Sequence, residues 1–367
     1  MKFKILTNTL LIGLNKVTHV VNNKSPIPSL NGVYFRLDST SLTLIGSDSD
    51  ITIKCIIDKD LEIISQGKIV IPKFIVEIIR KIDDEWVELE LIDNSLIIIK
   101  SNKSEFKING INSDNYPNID FSLNGEKINI STNLIGSIIN ETAFATSQEE
   151  IRPVLTGVNF TCRDGLLTCV ATDSFRLAKK EIKIDTALNF NINVPAKCLN
   201  EVVKLIKEDK NINIYISQQR ILFDLENIII QSRLINGNYP DISKLIPTSF
   251  DTTLKVNKRV ILDSLDRANI LSYNSANYTV TLEKDSSSLI LSSKSQEVGS
   301  IQEDVSYLEY DGNNILLSFN SKYVIDALKA FSDDIICFYF NGSMSPFIIK
   351  TEENDSSTQL ILPIKTY

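Results

Sequence analysis

Apolar positions along this chain fall into two alternating periods. Six windows space them at the three-, four- and seven-residue intervals of a helix with one buried face. In chain order the stripes are Leu10, Leu14, Val17 and Val21; Phe74, Ile75, Ile78, Ile79 and Ile82; Leu134, Ile135, Ile138 and Ile139; Leu199, Val202, Val203 and Ile206; Ile261, Leu265 and Ala268; and Val324, Ala327, Leu328 and Phe331. Between them lie short β-branched runs with period two, such as 33–37, 42–45, 51–57, 87–91 and 95–100. Val154 to Phe160 reads as one such strand. Asp164-Gly165 after it predicts a two-residue hairpin turn into Leu166 to Ala171, which stops at the polar Thr172-Asp173-Ser174.

The layout recurs. Gly32-Val33-Tyr34-Phe35 precedes Gly46-Ser47-Asp48-Ser49 by the spacing that separates Gly157-Val158-Asn159-Phe160 from Ala171-Thr172-Asp173-Ser174, at an offset of 125 residues. Ile71-Pro72-Lys73 and Val194-Pro195-Ala196-Lys197 open helical windows 123 residues apart, and Asn115-Tyr116-Pro117 and Asn238-Tyr239-Pro240 close units at the same offset. Thr7-Asn8 and Thr132-Asn133 stand where helix N-caps are expected. A weaker third copy starts at Leu254, has Asn320-Ser321-Lys322 at the Pro-led position, and ends on a terminal strand, Gln359 to Tyr367. The expectation is an α+β chain of three repeated domains, 1–124, 125–249 and 250–367. Each holds two helices on one side of about eight antiparallel strands.

Composition changes this picture little; charge changes it more. An apolar share of 43% supports real cores. The five cysteines lack metal-ligand spacing and read as reduced, buried small hydrophobes of a cytosolic protein. No signal peptide and no membrane span are expected. The formal charge of −8 argues, by itself, against a nucleic-acid binder. The charge is segregated, however: the six helical windows carry a net +6, with Lys197, Lys204 and Lys207 together in the fourth, so the remainder carries −14. One reading is that surface helices simply favour lysine. The sharper one is that the helices share a surface facing a polyanion, whose phosphates such residues bind without reading sequence. The window over 131–147, with Glu141 alone, would leave that lining uneven.

Enzyme chemistry finds little support. His19 is the only histidine, which removes His-based triads and His clusters, and no phosphate-binding GxxxxGK[ST] loop is present. Asp48, Asp50 and Asp173 sit at strand ends, where carboxylates cap loops, and Ser174 has no nearby base. A repeat protein that binds only other proteins is a third reading, and the basic helices weigh against it.

Four separated motifs in order resemble the bacterial sliding clamp family, the beta subunit of DNA polymerase III. They are Arg152-Pro153-Val154-Leu155-Thr156-Gly157-Val158, Ala171-Thr172-Asp173-Ser174-Phe175-Arg176-Leu177-Ala178, Asn238-Tyr239-Pro240-Asp241, and the terminal Leu360-Ile361-Leu362-Pro363-Ile364-Lys365. The resemblance spans the whole chain. It implies a DNA-clamp fold and a head-to-tail homodimeric ring whose helices face duplex DNA. It also implies no catalysis, no metal and no cofactor, and a place in the bacterial cytoplasm at the nucleoid and replisome. Over-use of Ile, Asn, Lys and Ser reads as the coding bias of an AT-rich genome.

The resemblance further implies a pocket, between the central and C-terminal domains, for short peptide motifs of the replicative polymerase, the clamp loader and other clients. Carried over by position, its wall takes Leu155, Thr172, Phe175, Arg176, Leu177, Pro240 and Leu245 from the central part; the apolar run of residues itself reads as a concave greasy site with Arg152 and Arg176 at its edge. Asn320, Tyr323, Met344, Pro346, Leu360, Ile361, Leu362, Pro363 and Ile364 complete it. DNA contact falls to Lys24, Lys73, Arg80, Lys197 and Lys204, and the subunit interface to Lys103, Phe106, Ile270, Leu271 and Glu297. Phe175 stands where many members have His, and Pro153 and Val154 where some have aromatic residues.

Overall fold

The computed structural model describes every residue except 23, 207, 273–277, 286, 353–354 and 366–367. Lys207 of the fourth helical window and Thr366 and Tyr367 of the expected terminal strand therefore lie outside the described residues.

Helices and strands alternate as the spacing predicts. The first third holds β1 (Lys2–Leu6), α1 (Thr7–Thr18), β2 (Gly32–Leu37), β3 (Leu42–Ser47), β4 (Ile51–Ile57), β5 (Leu61–Ser65), β6 (Gly67–Pro72), α2 (Ile75–Arg80), β7 (Trp86–Ile92), β8 (Leu96–Lys100) and β9 (Glu105–Asn109). The central third holds β10 (Glu126–Ser131), α3 (Thr132–Thr142), β11 (Gly157–Arg163), β12 (Leu166–Thr172), β13 (Arg176–Lys183), β14 (Phe190–Pro195), α4 (Ala196–Leu205), β15 (Asn211–Ile216), β16 (Arg220–Asp224) and β17 (Ile228–Arg233). The last third holds β18 (Thr252–Asn257), α5 (Lys258–Ser272), β19 (Thr279–Lys284), β20 (Leu289–Ser295), β21 (Gly299–Asp304), β22 (Glu309–Gly312), β23 (Ile315–Asn320), α6 (Ser321–Ala330), β24 (Ile335–Phe340), β25 (Phe347–Thr351) and β26 (Ser357–Ile361). The same backbone bond opens each third: Thr7 N–H to Glu85 O at 2.8 Å, Thr132 N–H to Lys210 O at 2.8 Å, and Lys258 N–H to Asp334 O at 2.7 Å.

Packing does not follow the repeats. Contacts gather the chain into two units, residues 1–133 with 197–234 and residues 134–196 with 235–367. The first unit holds a five-stranded sheet, β5-β1-β7-β8-β9, and an eight-stranded sheet, β10-β15-β16-β17-β4-β3-β2-β6. The second unit holds a nine-stranded sheet, β14-β11-β12-β13-β26-β25-β24-β18-β22, and a four-stranded one, β21-β20-β19-β23. Every strand pair among the described residues is antiparallel, and the strands of the central third are shared between the two large sheets through the joints β17–β4 and β13–β26. Apolar helix faces seal the sheets. In the first unit α1 lies so close on β3 that a Cβ on Gly46 would stand 2.1 Å from the Val17 carbonyl oxygen, a contact only glycine permits.

Several local expectations change. Thr7 does not cap; its hydroxyl donates instead to the Asp84 carbonyl (2.6 Å), as the Thr132 hydroxyl donates to that of Glu208 (2.7 Å), tying each helix start to a neighbouring segment. Pro153 to Thr156 is a 3-10 turn rather than a strand, because Pro153 fixes its φ and lacks an N–H for a ladder, while Leu155 N–H closes on Arg152 O at 2.9 Å. The α2 helix is short, so Phe74 falls outside its stripe and is 53% exposed; Leu134, in the first turn of α3, is 41% exposed. The terminal strand stops at Ile361, before Pro363, and Ile364 N–H turns aside to Ser318 O at 2.7 Å. The hairpin holds. Asp164 and Gly165, at φ 51° and 77°, form a two-residue loop with Arg163 paired to Leu166. All five cysteines are buried and free, and burial pushes the Cys198 thiol up to about 12.

Candidate functional site

The tight turn between β12 and β13 builds one wall of a cavity in the second unit. The Asp173 carboxylate closes the turn, its Oδ1 accepting from the N–H groups of Phe175 at 2.9 Å and Arg176 at 3.0 Å. Ser174 takes φ 80° within it, and Phe175 is thrown outward, 59% exposed. Asp48 does the same in the first unit, accepting from Asp50 and Ile51, so both aspartates are loop caps. Tyr239 pins the opposite wall: its hydroxyl accepts the Thr172 N–H at 3.0 Å, and burial raises its phenol well above the ordinary value.

Eleven of the seventeen assigned pocket residues line this cavity of about 230 Å³: Arg152, Leu155, Thr172, Phe175, Arg176, Leu177, Pro240, Leu245, Pro346, Leu360 and Leu362. Ser174 and Ile242 join them and were missed; Ile242 follows the Asn-Tyr-Pro-Asp motif directly, which is the signal that could have found it. The other six lie elsewhere. Asn320 caps α6 through the N–H groups of Lys322 and Tyr323, and Tyr323 lies behind Arg176 with its ring 4.6 Å from the guanidinium. Ile361 is buried in the unit's core, Met344 is 57% exposed, and Pro363 and Ile364 belong to the segment bridging to Ser318.

Arg176 is not at the edge. Its side chain is 11% exposed. It donates through Nε to Asp173 Oδ2 (3.0 Å), through Nη1 to Asp326 Oδ2 (2.7 Å) and through Nη2 to the Phe144 carbonyl (2.7 Å). Arg152, exposed, is the cavity cation with no ion pair among the described residues.

The residues assigned to DNA all fall in the first unit, and most are already held. Lys73 Nζ donates to Val21 O at 2.8 Å, Arg80 pairs with Glu77 at 2.6 Å, Lys204 pairs with Glu201 at 2.7 Å, and Lys197 pairs with Asp48. Lys24 is exposed and unpaired among the described residues. Asn15, Thr18, His19, Lys73, Glu77 and Arg80 line an open groove of about 440 Å³. The cations on the helices with neither ion pair nor side-chain hydrogen bond among the described residues are Lys16, Lys322 and Lys329, with Lys81 just past the end of α2. Sequence spacing could not find them. Asp326 stands within a turn of both Lys322 and Lys329, yet its carboxylate goes to Arg176. In α3 the lone acid, Glu141, is taken inward by buried Lys180, whose Nζ reaches both carboxylate oxygens at 2.9 and 2.8 Å.

Of the residues assigned to the subunit interface, three lie at sheet ends and two on a helix. Phe106 is on β9, the last strand of the five-stranded sheet, and Lys103 is in the loop before it; Glu297 is in the turn leading to β21, the last strand of the four-stranded sheet. Ile270 and Leu271 end α5, Ile270 with 73% of its surface exposed.

Sequence profiles of the DNA polymerase III beta subunit match the chain in order: the N-terminal domain over residues 1–120, the central domain over 129–241 and the C-terminal domain over 243–365. The chain is 36% identical to the beta sliding clamps of Staphylococcus epidermidis and Bacillus subtilis, with both partners covered completely. The crystal structure of the Bacillus subtilis sliding clamp superposes at a TM-score of 0.95 over all of both chains, and that of the Streptococcus pneumoniae beta chain, 34% identical, does the same. The chain belongs to the DNA polymerase III beta subunit family, the bacterial sliding clamps.

Proposed function

We propose that two copies of this chain close head to tail around duplex DNA and hold the replicative DNA polymerase to its template. The cavity beside Arg176 takes the short peptide motifs of polymerase, clamp loader and other clients. The chain is a processivity factor, not an enzyme. A closed ring stays on DNA by topology, so the helix cations need supply only weak, sequence-independent attraction to phosphates. The domains divide near residues 125 and 250, at the ends of the irregular segments that follow Tyr116 and Tyr239. The setting is the bacterial cytoplasm, at the replisome.

One observation carries the ring. The same strand joint occurs twice within the chain, and its two halves stand, without a partner strand among the described residues, at the ends of the two smaller sheets. In repeat terms Phe106, Ile230 and Gln359 are equivalent, each reached by the same ladder from Phe3, Ile128 and Leu254. Lys54, Lys179 and Gln302 are equivalent by the ladders that run back to Val70, Asn193 and Ser318. In one joint Ile230 opposes Ile53; in the other Gln359 opposes Ala178, the same register. Carried to the free edges β9 and β21, that register sets Phe106 of one copy opposite Ile301 of the other, Glu105 opposite Gln302 and Lys107 opposite Ser300. Pairing there hides two open edges.

The test is a Phe106→Cys, Ile301→Cys variant with the five native cysteines replaced. Both inner pairs sit at non-hydrogen-bonded positions, flanked by bonds such as Arg233 N–H to Asp50 O and Glu181 N–H to Ser356 O. Opposed Cα atoms there are about 4.5 Å apart, within disulfide reach. Oxidation should give a covalent dimer that, once loaded on circular DNA, survives denaturant and leaves only when the circle is cut. Cross-linking confined to higher oligomers, or release from intact circles, would refute the closed ring.

A further inference from the structure

We propose that Asp326 is a positioning residue for the peptide cavity, acting through Arg176 although it is not part of the cavity's lining. The proposal rests on the pocket reading above. Arg176 lines one hollow and is bound by groups that line another. On one side is the apolar cavity with Leu155, Leu177 and Leu360. On the other is an open groove of about 470 Å³ beside α3 and α6, lined by Asn140, Phe144, Asp326, Lys329 and Phe331. The two groups of that groove that bind Arg176, the Asp326 carboxylate at 2.7 Å and the Phe144 carbonyl at 2.7 Å, are the ones that hold its guanidinium back from the cavity.

A guanidinium has five N–H donors in a rigid fork. Three nitrogens here are aimed at Asp173, Asp326 and Phe144, and the rings of Tyr323 and Phe144 flank the group. What Arg176 offers a peptide is therefore the side of its stem, fixed in place, rather than a free charge. Without Asp326 the fork keeps the Asp173 carboxylate and the Phe144 carbonyl but loses the anchor of Nη1, so an imperfectly paired cation is left beside an apolar cavity, where it opposes burial of apolar peptide side chains. Asp326 also stands one turn from both Lys322 and Lys329 on α6, so the pairing ties the cavity wall to the cationic face of that helix.

The experiment measures binding of a short fluorescein-labelled peptide carrying adjacent Leu and Phe, by fluorescence anisotropy, to the full chain. The unmodified chain binds. Asp326→Ala weakens binding about tenfold, within the usual range of coupling between sites, and Asp326→Glu restores most of it. Arg176→Met with Asp326→Ala binds no more weakly than Arg176→Met alone, because the two residues act as one. A purely structural role for Asp326 would instead lower the melting temperature and give losses that multiply. Unchanged affinity in Asp326→Ala, or multiplying losses, overturns the positioning role. Absence of binding by the unmodified chain overturns the pocket reading itself, and this role with it.

Discussion

At the scale of single residues, pairing decides which charges this chain shows to its surroundings. Glu141 is the sole acid of α3, yet the Lys180 ammonium neutralises it from below and Gln359 donates to its backbone carbonyl at 2.9 Å. The helix face is therefore less acidic than its composition reads. The side chain of Lys180 is 6% exposed, so removing it strands a carboxylate with little water. Lys180→Met should cost about 3 kcal/mol in urea unfolding. The double variant Lys180→Met, Glu141→Leu should recover most of that, since replacing both partners of a buried pair is often close to neutral. A single variant as stable as the parent would mean that water reaches the pair.

At the scale of elements, close approach of backbone sets what the helices tolerate. Gly46 in β3 meets the Val17 carbonyl of α1, whereas a Cβ on Gly136, in the middle of α3, would have nothing within 4 Å. Gly46→Ala should therefore destabilise by about 1–3 kcal/mol, as overpacking does. Gly136→Ala should stabilise by about 0.5–1 kcal/mol through helix propensity. Thermal unfolding of the two variants, with opposite signs, checks both contacts. Element type was legible along the chain because each buried face repeats its period. Element ends were not. Whether Thr7 caps its own helix or reaches Asp84, and whether Leu362 continues a strand or leaves it, depends on partners about 77 and 187 residues away in sequence, Asp84 and Phe175 respectively.

At the scale of the whole molecule, we propose that the cations that meet DNA are those the fold leaves unpaired. Lys197 gives its charge to Asp48, while Lys322 and Lys329 keep theirs because Asp326 turns to Arg176. Lys322→Glu with Lys329→Glu should shorten retention on nicked circular DNA as salt rises more than Lys197→Glu does. Each lost phosphate contact should lower the slope of affinity against salt by about one unit. Equal effects at the two sites would show that the Lys197 ion pair opens on DNA. The same scale explains how much of the candidate site was readable. Leu155, Thr172, Leu177 and Leu360 stand in motifs, and the fold brings them around one cavity. Met344 and Asn320 stand in comparable positions along the chain and are turned elsewhere, one to solvent and one to the start of α6.

The amino-acid sequence by itself determined the threefold recurrence, the six helices, the antiparallel runs and the hairpin at Asp164-Gly165, because periodicity and turn chemistry are local properties. Only the tertiary structure decided that the central repeat is shared between two large sheets, that Arg176 is a brace rather than an edge charge, and which lysines remain free. Those outcomes depend on which strand edge meets which, and on which carboxylate a cation finds first. Both are set by three-dimensional neighbours that no spacing along the chain encodes.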